Sequence, residues 1–253
     1  MILKSETELL LLAAGRGSRM GALTENLPKS LIPINGKPIV EHTVDGYYQV
    51  FKNQAVSIVS GYNKDALNRW VSSRGELIKT YENKKWDQCG PTVSLKVGLE
   101  KDFDVDVLMI GNGDTVFTKE LFNIVSNIGS KEGYYLIVSK IFDFDQDSML
   151  VDEQDGNLVR AGKRIQIEPK PEWESAGLLV VSGREKIEFI RSKVNRVVHG
   201  IEKKVQSDGP WHEVVNVLRK DGVEIKVVEV PYDSWWECDT HRCIVNAEQG
   251  ITE

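Results

Sequence analysis

From Thr7 to Gly17 the chain reads Thr-Glu-Leu-Leu-Leu-Leu-Ala-Ala-Gly-Arg-Gly, and few folds accept such a segment. The apolar run Leu9–Ala14 is far shorter than the ~18–20 residues that span a bilayer, and it stops at glycine. A run of this kind predicts a strand over Thr7–Ala13 buried on both faces, as in a parallel sheet covered by helices on either side. Gly15 and Gly17 then form a turn at the strand's carboxyl end, the edge where open α/β sheets bind their ligands.

The pattern then alternates. Pro38 suits a first helical turn, and Ile39, Val40, Thr43, Val44, Tyr47, Tyr48 and Phe51 recur near a 3.6-residue period, predicting a helix to about Lys52. Strands are expected at Ala55–Ser60, Leu77–Tyr81 and Val105–Ile110, with helices at Lys64–Val71 and Pro91–Leu99 between them. Four strands separated by helices imply an α/β fold with a doubly wound, mainly parallel sheet. Beyond residue 130 the pattern becomes mixed. Tyr134–Ile141, Met149–Asp152, Leu158–Ile167, Ala176–Val181 and Val223–Val230 read as strands, with Asp155-Gly156-Asn157 as a hairpin turn. Helices are expected at Arg184–Val194, at Trp211–Leu218 and from Thr240. This half is expected to form a mixed-sheet lobe on the first sheet.

With 253 residues, 41% hydrophobic and 28% charged, one large core suffices, and no repeat or linker marks a second autonomous domain. Residues 1–253 are therefore read as a single domain with a functional boundary near residue 130. A net charge of −6 makes a broad basic surface for nucleic acid or anionic lipid unexpected. Lys4, Glu6 and Glu8 spoil a signal peptide, so a cytoplasmic chain without membrane association is expected. Cys89, Cys238 and Cys243 fit neither a redox pair nor a zinc site and read as reduced, packed thiols.

Local charge runs against the total. Between Ala13 and Pro38 stand Arg16, Arg19, Lys29 and Lys37 against Glu25 alone. Gly15 and Gly17 let backbone N–H groups close on an anion, and the cations suit phosphate oxygens. A dinucleotide fingerprint needs glycine where Met20 stands and an acidic residue where Ser60-Gly61-Tyr62 follows; a Walker-type loop needs more than Gly17-Ser18-Arg19. Gly111-Asn112-Gly113-Asp114-Thr115 leaves the fourth strand at the same sheet edge. Asp114 either holds Mg²⁺ or caps the helix expected near Lys119. Glu237 and Asp239, two apart, can share one face in extended chain and meet the same ion, although Asp239 alternatively caps the last helix.

Leu12-Ala13-Ala14-Gly15-Arg16-Gly17-Ser18-Arg19-Met20, Leu27-Pro28-Lys29-Ser30-Leu31 and Gly36-Lys37-Pro38 together resemble the signature of the nucleotidyltransferases, the family of sugar-nucleotide pyrophosphorylases and phosphocholine cytidylyltransferases. Val59-Ser60-Gly61-Tyr62, Gly113-Asp114, Ser175-Ala176-Gly177 and Trp236-Glu237-Cys238-Asp239-Thr240 follow in the family's order. The resemblance implies a Rossmann-like, GT-A-like fold, with residues to about 130 binding nucleotide and residues 131–253 binding the acceptor. It implies a nucleotide site of Leu12, Ala13, Ala14, Gly15, Arg16, Gly17, Ser18, Arg19, Lys29, Gly61, Asn83, Ser94 and Gly113. Lys29, Arg19 and Asp114 would be catalytic, and Asp114, Asp239 and Glu237 would hold Mg²⁺. The implied chemistry is in-line attack of a phosphate or phosphonate oxygen on the α-phosphorus, with pyrophosphate leaving.

Glu82-Asn83-Lys84-Lys85-Trp86 followed by Thr92-Val93-Ser94-Leu95 resembles the phosphocholine-type enzymes, which makes CTP the expected nucleotide. Trp173, Trp211, Trp235 and Trp236 cluster late with Glu213 and Glu237, a composition suited to a choline-like or amine cation. Trp211-His212 stands where the choline enzymes carry Trp-Asp, so an aminoalkyl phosphonate or a phosphorylated amino-acid amide fits as well. Glu168-Pro169-Lys170 resembles a transposed motif of the sugar enzymes. The acceptor site is expected to include Lys170, Ala176, Gly177, Trp211, Glu213 and Trp236. A sugar 1-phosphate with UTP or dTTP is the alternative substrate pair, and a nucleotide-binding module without catalysis is a third reading. Oligomeric state is left open.

Overall fold

Residues 6–75, 77–128, 131–141, 147–163, 171–202 and 209–251 are described by the computed structural model. The first half runs β1 (Thr7–Leu12), 3-10 turns at Ser18–Thr24 and Lys29–Leu31, a small hairpin of β2 (Pro33–Ile34) and β3 (Lys37–Pro38), and α1 (Ile39–Val50). It continues through β4 (Ala55–Ser60), α2 (Lys64–Arg74), β5 (Ile78–Glu82), α3 (Pro91–Leu99), β6 (Val107–Asn112), β7 (Thr115–Phe117) and α4 (Lys119–Ser126). The second half holds β8 (Gly133–Lys140), β9 (Leu150–Gln154), β10 (Asn157–Gly162), β11 (Trp173–Ser182), α5 (Arg184–Glu202), α6 (His212–Lys220), β12 (Ile225–Glu229), β13 (Trp235–Glu237) and α7 (His241–Gly250).

β1 is the axis of the sheet. It pairs in parallel with β4 on one side and β6 on the other, setting Leu9 opposite Val56 and Met109. Leu10 faces one core with α3, α5 and α6, whereas Leu9 and Leu11 face the other with α1 and α4. Burial on both faces is the physical reason that a run of leucines could be placed here without polar alternation. The full strand order is β5-β4-β1-β6-β11-β8-β12-β10-β9.

The mixed half is continuous with the parallel half and does not form a separate layer. β11 runs antiparallel between β6 and β8, so both halves of the chain share one nine-stranded sheet. Most boundaries fall within a residue or two of the expected ones. The exceptions are α2, which runs on to Arg74 and not only to Val71, α5, which continues past Val194 because Val198 stays buried on the same face, and β11, which begins at Trp173 and not at Ala176. Residues 164–167 of the expected Leu158–Ile167 strand lie outside the described residues.

Two very short elements have no sequence signal. β7 pairs antiparallel with β13, Glu237 opposite Thr115, and the N–H of Cys238 donates to the carbonyl of Asp114 at 3.0 Å. This pairing brings together segments far apart in the chain. Cys238 is buried beneath it, and none of the three cysteines is in a disulfide. A third core cluster of Met20, Ile32, Ile34, Val116 and Ile244 ties the glycine-loop arm to α7.

Candidate active site

The glycine turn carries Lys29 into the site. Gly17 has φ 70°, and a Cβ there would come within 2.8 Å of the Cβ of Lys29, so only glycine lets the lysine stem lie across the turn. Thr24 Oγ1 donates to the Gly17 carbonyl at 3.0 Å and closes the loop. Lys29 is 6% exposed and its ammonium contacts two carboxylates, Asp114 at 2.6 Å and Asp239. Burial alone would depress the ammonium's pKa, but Asp114 and Asp239 outweigh it and hold the charge in place.

Neither aspartate is a helix cap. α4 is capped by Thr118, which accepts from the Leu121 N–H, and α7 by Thr240, which accepts from the Cys243 N–H. Both carboxylates are thereby left to the site. Arg19 donates to Asp239 at 2.9 Å and pairs with Asp147. Glu237 lies half-buried beside them, and burial together with Asp239 and Asp114 pushes its carboxyl up to about 8.

Two adjoining clefts meet here. The first, about 240 Å³, is lined by Leu12, Ala13, Gly15, Gly17, Ser18, Arg19, Lys29, Gly113, Asp114 and Asp239, all expected from the sequence, together with Ser30. Gly113 has no room for a side chain, since a Cβ would meet that of Ala13 at 2.5 Å. The second cleft, about 210 Å³, shares Arg19, Asp114 and Asp239 and extends to Ala176, Gly177, Trp211, Trp235 and Glu237.

The remaining expected residues sit elsewhere. Ala14, Arg16, Gly61, Asn83 and Ser94 line neither cleft and flank the loop on its β4–β5 side. There the Ala14 carbonyl accepts from the Tyr62 N–H at 2.9 Å, Arg16 lies 5.4 Å from the Tyr62 ring centroid, and Asn83 Nδ2 donates to Ser94 Oγ at 3.1 Å. Gly61 abuts Trp86. Glu213 is exposed on α6, outside the second cleft. Trp236 packs against Gly250 of α7, and Trp235 reaches the cleft in its place, because side chains of β13 alternate between faces. Trp211 borders the cleft but is 1% exposed, stacked on His212 with its indole N–H on Asn112 at 2.7 Å. Lys170, with Glu168 and Pro169, lies outside the described residues.

Asp147, Lys163, Ser30, Ser175 and His212 border the clefts without having been singled out as site residues. Ser175 and His212 stand inside or next to motifs quoted for the resemblance, which is a usable signal; Asp147 has none. No group of three metal-binding side chains is gathered among the described residues. Asp114 and Asp239 nevertheless converge on one point, and two hard oxygen donors beside a phosphate-sized cleft fit Mg²⁺, which takes one or two carboxylates with phosphate oxygens. No helix among the described residues is long and apolar enough to cross a membrane.

Known proteins share this architecture. The chain is 25% identical over 229 residues to the bifunctional protein GlmU of Methanocaldococcus jannaschii, covering 90% of this chain and 50% of that protein. It thus spans about half the length of the GlmU relatives it matches. A UTP–glucose-1-phosphate uridylyltransferase, AglF of Haloferax volcanii, is 25% identical over 232 residues, covering 90% of this chain and 89% of that one. Among solved structures, the CTP:phosphocholine cytidylyltransferase LicC of Streptococcus pneumoniae superposes with a TM-score of 0.76 at 21% identity, covering 96% of this chain and 98% of that one. These likenesses establish a Rossmann-like nucleotidyltransferase fold. The model of the MobA-like NTP transferase domain matches residues 9–140, more than half of the chain, and the chain belongs to that family.

Proposed function

We propose that the protein is a Mg²⁺-dependent cytidylyltransferase that joins CMP from CTP to a small phosphorylated or phosphonylated acceptor and releases pyrophosphate. One observation carries the reading: a buried lysine ammonium, held by aspartates from two distant segments, stands where two clefts meet. The first cleft, built from residues before about 130 together with Asp239, takes the triphosphate. The second, to which the residues after 130 contribute most, takes the acceptor.

An oxygen of the acceptor's phosphate or phosphonate forms a bond to the α-phosphorus as the bond to the bridging oxygen breaks, and the electron pair leaves with pyrophosphate. Lys29 faces the charge that grows on the α-phosphate. Two unit charges about 4 Å apart at an effective dielectric near 20 interact by roughly 4 kcal/mol before desolvation is subtracted. Arg19, now on Asp239 and Asp147, exchanges these partners for phosphate oxygens. Asp114 and Asp239 would hold Mg²⁺, which supplies charge neutralisation on the triphosphate. Glu237 stands beside them as a further candidate ligand. Positioning and electrostatics account for the chemistry, with no covalent enzyme intermediate.

CTP is favoured by the Asn83–Ser94 stretch and by the likeness to the S. pneumoniae enzyme. A second reading, a sugar-nucleotide pyrophosphorylase, is favoured by the AglF relative matched over nearly its full length. Pyrophosphate release from each NTP against a panel of acceptors separates them. Turnover confined to hexose 1-phosphates with UTP or dTTP selects the second. Nucleotide binding without any pyrophosphate leaves a non-catalytic module.

A further inference from the structure

The second cleft is bordered by a histidine with one ring nitrogen that the described residues leave without a partner. His212 is 3% exposed and borders that cleft. Its Nε2 lies 2.9 Å from Ser175 Oγ, which also accepts the Gly177 N–H at 3.1 Å. The ring's face is stacked on Trp211 at 4.0 Å between centroids. Nδ1, on the opposite side, is buried and has no hydrogen-bond partner among the described residues. Native interiors rarely leave such a nitrogen bare, because it has lost its water without replacement.

The surroundings are built and not incidental. β11 breaks register with β8 between Ser175 and Leu178, and Gly177 takes φ 74° with no space for a Cβ beside Asn112. This irregularity turns the Gly177 N–H back onto Ser175, and such bulges recur beside ligand sites. Burial and the charge of Lys163 keep the imidazole neutral, lowering its pKa to about 3. A neutral imidazole offers one hydrogen-bonding function at Nδ1, donor or acceptor according to its tautomer, and a hydroxyl or an amide can meet either.

We infer that His212 determines acceptor specificity, its Nδ1 hydrogen-bonding a hydroxyl or amide that the acceptor carries a few bonds from its phosphate. The inference rests on the second cleft being the acceptor site. A quaternary ammonium offers neither an N–H nor a lone pair and leaves Nδ1 bare, so phosphocholine is a poor acceptor and a hydroxyl- or amide-bearing phosphate a good one.

The test measures pyrophosphate release from CTP and UTP with glucose 1-phosphate, glycerol 3-phosphate, O-phosphoserinamide and phosphocholine. A hydroxylated or amide acceptor is expected to exceed phosphocholine at least about tenfold in kcat/KM. His212→Gln keeps a polar atom toward Ser175 but none at the Nδ1 position, and should raise the acceptor KM about tenfold or more with nucleotide KM unchanged. His212→Asn, polar at the Nδ1 position, should recover part of the loss. Preference for phosphocholine, or an unchanged acceptor KM in His212→Gln, overturns the inference while pyrophosphate release keeps the catalytic reading. No pyrophosphate from any pair overturns both. Should His212→Gln fail to fold, the wild-type preference and His212→Asn decide.

Discussion

Lys29 and its two aspartates make the sharpest claim about this protein. Lys29→Ala should lower kcat by about 10²–10³-fold, the size of effect seen when one preorganised charge-stabilising group is removed, with a smaller change in nucleotide KM. Steady-state kinetics on a variant with wild-type circular dichroism checks this, and an equal loss in nucleotide affinity would make Lys29 a binding group only. Asp114→Asn should abolish turnover and keep the fold; unchanged activity at saturating Mg²⁺ removes Asp114 from the metal site. His212 offers a separate measurement. Its ring is neutral in the fold down to about pH 3, whereas in the unfolded chain it protonates near pH 6.5. Between those values the unfolded state binds the extra proton, so stability falls as pH drops, by about 1.4 kcal/mol per pH unit from this residue. Denaturant titrations at pH 7 and pH 5 should show a shallower loss in His212→Gln.

Helix capping and the proposed metal binding fall to neighbouring but different residues, and substitution can separate them. Thr118→Ala removes the α4 cap and should cost about 1 kcal/mol of stability with kcat retained. Asp239→Asn should do the reverse, since Thr240 caps α7. Thermal melts paired with turnover distinguish the two, and loss of activity in Thr118→Ala with an unchanged melt would contradict the assignment. The β7–β13 pair is the element on which the site depends most, because it sets Asp114 beside the segment of Glu237 and Asp239. Three-residue strands have too few residues to show a period, so nothing in the local sequence announces them.

The shared sheet bears on the chain's integrity. β6 pairs with β11, and one core cluster draws on α3, α5 and α6 at once. A fragment of residues 1–130 would expose the β6 edge and the apolar face that α5 and α6 cover. It is expected not to unfold cooperatively, while the complete chain shows one transition by both circular dichroism and tryptophan fluorescence. Two resolved transitions in the complete chain would mean that the halves fold independently and that the boundary near residue 130 is structural as well as functional.

The buried strand, the alternation of helices with parallel strands and the cationic glycine turn were legible in the chain because each depends on neighbours within about ten residues: burial, period and backbone freedom are local properties. The same locality explains which side chains the sequence did not place. Trp236 and Glu213 read as acceptor residues from composition, yet strand alternation and helix phase turned one toward α7 and left the other exposed. That Asp114 and Asp239 would leave their caps to threonines and converge on Lys29, and that Ser175 would occupy one nitrogen of His212 and leave the other buried without a partner among the described residues, followed from folding. Those contacts join residues up to 210 positions apart, and a charge's partner at that separation is chosen by packing in three dimensions, for which one chain carries no local signature.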